Sequence, residues 1–160
     1  MHLTRFTDYA LRVMMHVATA PGGRSTIAET ARAFGISEHH LVKVVHLLGR
    51  EGLLANTRGR GGGLRLAREP SAINIGHVVR VTEGASHLAE CFEPRQGACV
   101  ISGSCGLSGV FREALGAFYA VLDRHTLQDL LDNSNGMAVI LHRRSRWDAS
   151  LPEAAPQPGV

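Results

Sequence analysis

Aromatic residues are scarce in this chain: 5% of 160 residues, with one Trp, two Tyr and five Phe. A core must therefore rest on Leu, Val, Ile and Ala, and a hydrophobic share of 44% is enough to build one. No apolar run approaches the roughly 18 residues of a membrane-spanning helix. The start, Met1-His2-Leu3-Thr4-Arg5, lacks the apolar core of a secretory signal. The expected location is the cytoplasm, with no membrane partner, and there thiols stay reduced. Cysteine is scarce as well. Three cysteines leave one unpaired, so neither arithmetic nor compartment favours a disulfide framework. Internal repeats are absent. So are a nucleophile–base pair and paired catalytic carboxylates at credible spacing, and an enzyme is not expected.

What is present is unevenly placed. Residues 1–80 carry 11 Lys and Arg against 5 Asp and Glu, a net of +6, whereas residues 81–160 carry 6 against 9, a net of −3. A basic N-terminal half suits a polyanion, because phosphate contacts supply much of the affinity for DNA. Charge alone leaves a merely solvated surface equally open, so the motifs decide.

Phe6, Ala10, Val13, Met14 and Val17 recur at helical spacing and predict a helix from Leu3 to Ala20, ended by Pro21-Gly22-Gly23. Thr26-Ile27-Ala28-Glu29 fits a capping box and starts a short helix that stops at Gly35. Ser37 is placed to cap a third helix with Leu41, Val44, Val45 and Leu48 inside. His39, His40, Lys43 and Arg50 then fall outside. Two short helices joined by a tight glycine turn form a helix-turn-helix, whose second helix enters the major groove. Leu53 to Arg58 and Leu64-Arg65-Leu66 read as strands around Gly59-Arg60-Gly61-Gly62-Gly63, a hairpin directly behind that helix. As a wing it offers Arg58 and Arg60 to DNA. A phosphate-cradling nucleotide loop needs a helix after the glycines, and here a strand follows.

A short helix is expected over His77–Thr82. Periodicity then lapses from Glu83 to Ser104. It returns with Leu107, Val110, Phe111, Ala114, Phe118, Val121 and Leu122, the apolar face of a long helix expected to form a dimer. Thr126 and Asp129 cap one more short helix, Leu127 to Asp132. After Asn133-Ser134-Asn135-Gly136 comes a brief apolar stretch, then a basic and proline-bearing tail expected to be disordered from about residue 143.

Cys91, Cys99 and Cys105 fall within fifteen residues of the aperiodic loop, spaced Cys-x7-Cys-x5-Cys. Thiolates so grouped suit zinc or an iron–sulfur cluster. Structural zinc sites use cysteine pairs two to four residues apart, and neither gap is that short, which favours the cluster. A fourth ligand is needed, and spacing does not choose among His87, Glu90, Glu93 and the distant Asp8.

These residues together resemble the winged-helix iron–sulfur transcriptional repressor family. The likeness runs from Met1 to about Asp132. It is carried by Leu3-Thr4-x-Phe6-Thr7-Asp8-Tyr9-Ala10-Leu11-Arg12, by Gly35-Ile36-Ser37, by Arg58-Gly59-x-x-Gly62-Gly63, and by three cysteines before a helix. His40-Leu41-Val42-Lys43-Val44-Val45 and Val121-Leu122-Asp123-x-x-Thr126-Leu127-x-Asp129-Leu130 are most like the nitric-oxide-sensitive branch. The cluster-regulating branch places a histidine three residues after its third cysteine; here that position is Ser108. The first cysteine gap, seven residues, is longer than the five usual in the nitric-oxide-sensitive branch.

The resemblance implies one iron–sulfur cluster per subunit, 2Fe-2S or 4Fe-4S, held by Cys91, Cys99 and Cys105, with Asp8 reaching across from the other subunit. It implies a mainly α fold: a winged helix-turn-helix over residues 1–82, a cluster loop over 83–106, a dimerisation helix and short C-terminal helix over 107–133, and a largely disordered tail over 134–160. The implied function is a homodimeric repressor that binds double-stranded operator DNA, leaves it when nitric oxide nitrosylates the cluster, and so controls nitrosative-stress genes. The same fold sensing iron or redox status, or a zinc-stabilised interaction protein, are the alternatives.

Overall fold

The structure is a computed structural model that describes residues 2–57, 59, 62–84, 101, 105–132 and 136–147, with the backbone alone over 143–147. Arg58, Arg60, Cys91 and Cys99 lie outside the described residues. The fold is mainly helical, with one two-stranded antiparallel sheet.

Helix α1, Arg5–Thr19, begins where the Thr4 hydroxyl accepts a hydrogen bond from the Thr7 amide. Its apolar face of Ala10, Val13, Met14 and Val17 is fully buried and forms the centre of the core. After a single 3-10 turn over Pro21–Gly23, helix α2, Ile27–Phe34, opens with the expected capping box: Glu29 N–H donates to Thr26 Oγ1 at 3.1 Å, and Thr26 N–H donates to Glu29 Oε2 at 2.7 Å. Gly35 ends α2 in the left-handed conformation at φ 66°, which a side chain would strain. That turn aims helix α3, Glu38–Arg50, across α1, and Leu41, Val44, Val45 and Leu48 lock it in place.

Strands β1, Leu54–Thr57, and β2, Gly63–Leu66, pair in register Leu54 with Leu66 through Thr57 with Gly63. Ser25 adds a bridge to Leu64, with N···O distances of 3.1 and 2.7 Å, and ties the hairpin to the stretch before α2. Helix α4, Ile75–Glu83, starts two residues earlier than expected because the Asn74 side chain accepts from the His77 amide. Helix α5, Leu107–Leu122, has no buried residue of its own. Helix α6, Leu127–Asp132, returns to the core through fully buried Leu127. The tail from residue 134, expected to be largely disordered, contains helix α7, Met137–Trp147, which packs on α2 and α1 and buries Leu141.

Candidate nucleic-acid interface and sensor site

The inner face of α3 is consumed by the core, so its outer face is fixed. His39, His40, Lys43, His46 and Arg50 are all exposed. Ser37 sits at the N-cap position, yet its hydroxyl makes no capping bond; its backbone carbonyl accepts from the His40 and Leu41 amides instead. The hydroxyl is therefore turned to solvent on the helix end that approaches DNA in this motif. The Tyr9 ring lies 6.3 Å from that of His40, so α1 supports the start of this outer face. Arg50 Nε is 3.4 Å from Glu51 Oε1, an exposed contact that leaves the guanidinium accessible.

A second constellation surrounds the first turn of α1. Glu83, the last residue of α4, accepts hydrogen bonds from the Thr4 amide at 2.8 Å, the Thr4 hydroxyl at 3.1 Å, and the Thr7 hydroxyl. Thr82 Oγ1 lies 2.9 Å from Thr7 Oγ1. These contacts pin the N-terminus of α1 to the residue where the cysteine-bearing segment begins. One turn along α1, Asp8 is half exposed and its Oδ1 accepts from Arg12 Nε at 2.9 Å. Cys105 lies just before α5, a free and partly accessible thiol, and its carbonyl accepts from the Ser108 hydroxyl at 3.0 Å. Among the described residues no three His, Cys, Asp or Glu side chains converge closely enough to hold a metal ion. Asp8 and Cys105 are thus available donors that one chain's described residues do not bring together.

Helix α5 sorts its apolar residues into two sets. Phe118 and Leu122, with Tyr119, pack against the core. Leu107, Val110, Ala114, Ala117 and Val121 are exposed. Their spacing of three, four, three and four residues is the spacing that coiled-coil seams use. Arg80 fastens α5 to α4 through two 2.6 Å bonds to Asp123 and stacks 4.4 Å over the Tyr119 ring, and this ion pair holds the Asp123 carboxyl below its usual range.

Residues 3–133 match the model of a family described as an iron-dependent transcriptional regulator, Rrf2. The chain belongs to the Rrf2 family. Among its Rrf2 relatives is the transcriptional regulator NsrR of Bacillus subtilis strain 168, 47% identical over 142 residues, covering 88% of this chain and 97% of that one. The NsrR regulator of Geobacillus kaustophilus is 45% identical over 145 residues, covering 90% and 99%. The solved structure of CymR, the global cysteine regulator of B. subtilis, superposes with a TM-score of 0.68 at 28% identity, covering 84% of this chain and 99% of that one. The chain is accordingly a transcription regulator with a winged-helix fold, and no helix of the described residues is long and apolar enough to cross a membrane.

Two features lay beyond the sequence patterns, and a third was missed although the sequence carried it. The Thr4–Thr7–Glu83 knot joins residues more than 75 apart. The Arg80–Asp123 clasp has no local spacing to announce it. The division of α5 between core and solvent was visible in principle, since 107, 110, 114, 117 and 121 follow a heptad.

Proposed function

We propose that this Rrf2 protein is a homodimeric, nitric-oxide-responsive repressor of nitrosative-stress genes that grips operator DNA with α3 and its wing. Cys91, Cys99 and Cys105, with Asp8 of the partner subunit, would hold an iron–sulfur cluster, which supplies iron open to nitric oxide. The reading is supported most by α1, a single helix that carries Asp8 at one end and packs against α3. Soft thiolates bind iron strongly and a carboxylate binds it weakly, so Asp8 is the ligand most easily given up. Arg12 already holds the same carboxylate and competes for it. Glu83 keeps the start of α1 rigid, so movement of Asp8 carries α1, and with it α3, as a unit. An operator with two half-sites demands a set distance between two recognition helices, and a small displacement costs affinity.

The test is stopped-flow absorbance of anaerobic protein mixed with nitric oxide. Asp8→Cys puts a fourth thiolate in place of the weak oxygen and is expected to slow the first reaction. Asp8→Ala is expected to retain a cluster. Reaction of Asp8→Cys at the wild-type rate removes Asp8 from the mechanism.

A further inference from the structure

The outward stripe of α3 is polar or basic with one exception. Positions 39, 42, 43, 46 and 50 share that face, and Val42 among them is 52% exposed. A bare valine in the middle of a cationic reading face gains nothing from water and contributes nothing to phosphate binding. It borders a groove of ≈ 340 Å³ lined also by Ile27, Val45, His46, Gly49, Arg50 and Asn56. Lys43 and Arg50 flank this apolar spot with the charges that a phosphate backbone meets. One exposed valine beside a half-buried isoleucine is far smaller than the roughly 1,000 Å² a protein partner needs. It matches a single methyl group. In the major groove only thymine presents one, at C5.

We propose that Val42 is a specificity-determining residue that reads the C5-methyl group of a thymine in each half-site, with Ile27 completing the apolar contact. This rests on the operator-binding reading above. Lys43 and Arg50 fix the register on phosphates, while Val42 discriminates among the bases that register presents. Removal of one buried methyl group is worth roughly fourfold in affinity.

The experiment uses the full-length protein, prepared anaerobically, and a duplex that it selects from a random DNA pool. Each thymine is replaced in turn by deoxyuridine, which deletes the methyl and keeps every hydrogen-bonding group. Wild-type protein is expected to lose roughly fourfold affinity at one symmetric pair of positions and little elsewhere. Val42→Ala is expected to bind the thymine duplex more weakly and to lose the distinction between thymine and deoxyuridine at that pair. Lys43→Ala is expected to weaken both duplexes alike and keep the distinction. Because Val42 is exposed, Val42→Ala should melt with the wild type, which excludes a folding defect. If no deoxyuridine position matters, or if Val42→Ala discriminates as the wild type does, the proposal is overturned while operator binding stands. Failure to select any sequence overturns both.

Discussion

At the scale of single residues, the buried polar side chain with the largest consequence for stability is His16. It is 1% exposed, and its Nδ1 faces Ser25 Oγ at 3.0 Å and Thr30 Oγ1 at 3.1 Å. Thr30 gives its proton to the Thr26 carbonyl and Ser25 lies within reach of the Glu29 carboxylate, so Nδ1 carries the hydrogen and donates. Nε2 is then a buried lone pair with no partner among the described residues. Burial first, and the neighbouring His142 ring of α7 second, push the His16 pKa down to about 4, against a smaller opposing pull from Glu29. The folded state thus prefers neutral His16. Its contribution is fully present above the unfolded value near 6.5 and is lost as pH falls from there toward 4, by an amount on the order of 3 kcal/mol. Urea denaturation at pH 8, 6 and 5 should show this decline, and His16→Gln should flatten it. An equally steep decline in the variant assigns the acid sensitivity to other groups.

Lys43 offers a second test at this scale, because it is the chain's one lysine. Acetylation of its amine, followed by mass spectrometry, should be slowed strongly by bound operator duplex and little by an equal concentration of unselected duplex at moderate salt. Lys43→Ala should lower affinity similarly across sequences and reduce the salt slope by about one unit. Equal acetylation rates with and without duplex place Lys43 off the DNA.

At the scale of elements, α5 serves two masters. Its stripe of Leu107, Val110, Ala114, Ala117 and Val121 is exposed among the described residues, while Phe118 and Leu122 pack on the winged unit. Substitutions should separate the two. Val110→Glu places a charge in the stripe and should halve the mass seen by sedimentation while leaving the thermal midpoint of the winged unit nearly intact. Phe118→Ala should cost about 3 kcal/mol of stability through lost packing, with the dimer retained by what folds. A dimeric Val110→Glu protein would mean that another surface joins the subunits. The clasp ties α5 to α4, which packs on α1, and α1 in turn packs on α3. Gly76 is part of the clasp, since a Cβ there would lie 2.0 Å from Asp123 Oδ1. Gly76→Ala, or Asp123→Ala, should loosen the joint and weaken operator binding without changing the dimer mass.

Helices α1 to α6 and the hairpin were legible because periodicity, caps and glycine stops agree along the chain. Helix α7 was not. Met137-Ala138-Val139-Ile140-Leu141 followed by basic residues is too short and too weakly patterned to hold a helix alone. It exists in the fold because Leu141 and His142 find α1 and α2. A ligand role for Asp8 is suggested only by resemblance. Nothing local distinguishes an exposed carboxylate paired with Arg12 from any surface ion pair, and the grip of Glu83 on the start of α1 arises only when residues far apart in sequence meet.

At the scale of the whole molecule, the proposed switch is a chain of mechanical links. In the switch proposed above, the cysteine segment would meet Asp8 of the partner subunit, α1 carries Asp8 and packs on α3, and α5 would couple two such bodies. In that proposal three thiolates would supply the affinity for iron, and the carboxylate would supply the weakness that makes a response fast. The central claim is that sensor and reader are one switch, and a gel shift with anaerobic protein and a duplex selected from random DNA tests it most directly. Wild-type dimer should retard the duplex and release it when nitric oxide is added, whereas a variant with Cys91, Cys99 and Cys105 all changed to Ala should show no response to nitric oxide. A triple variant that binds the duplex and releases it on nitric oxide as the wild type does would contradict the account.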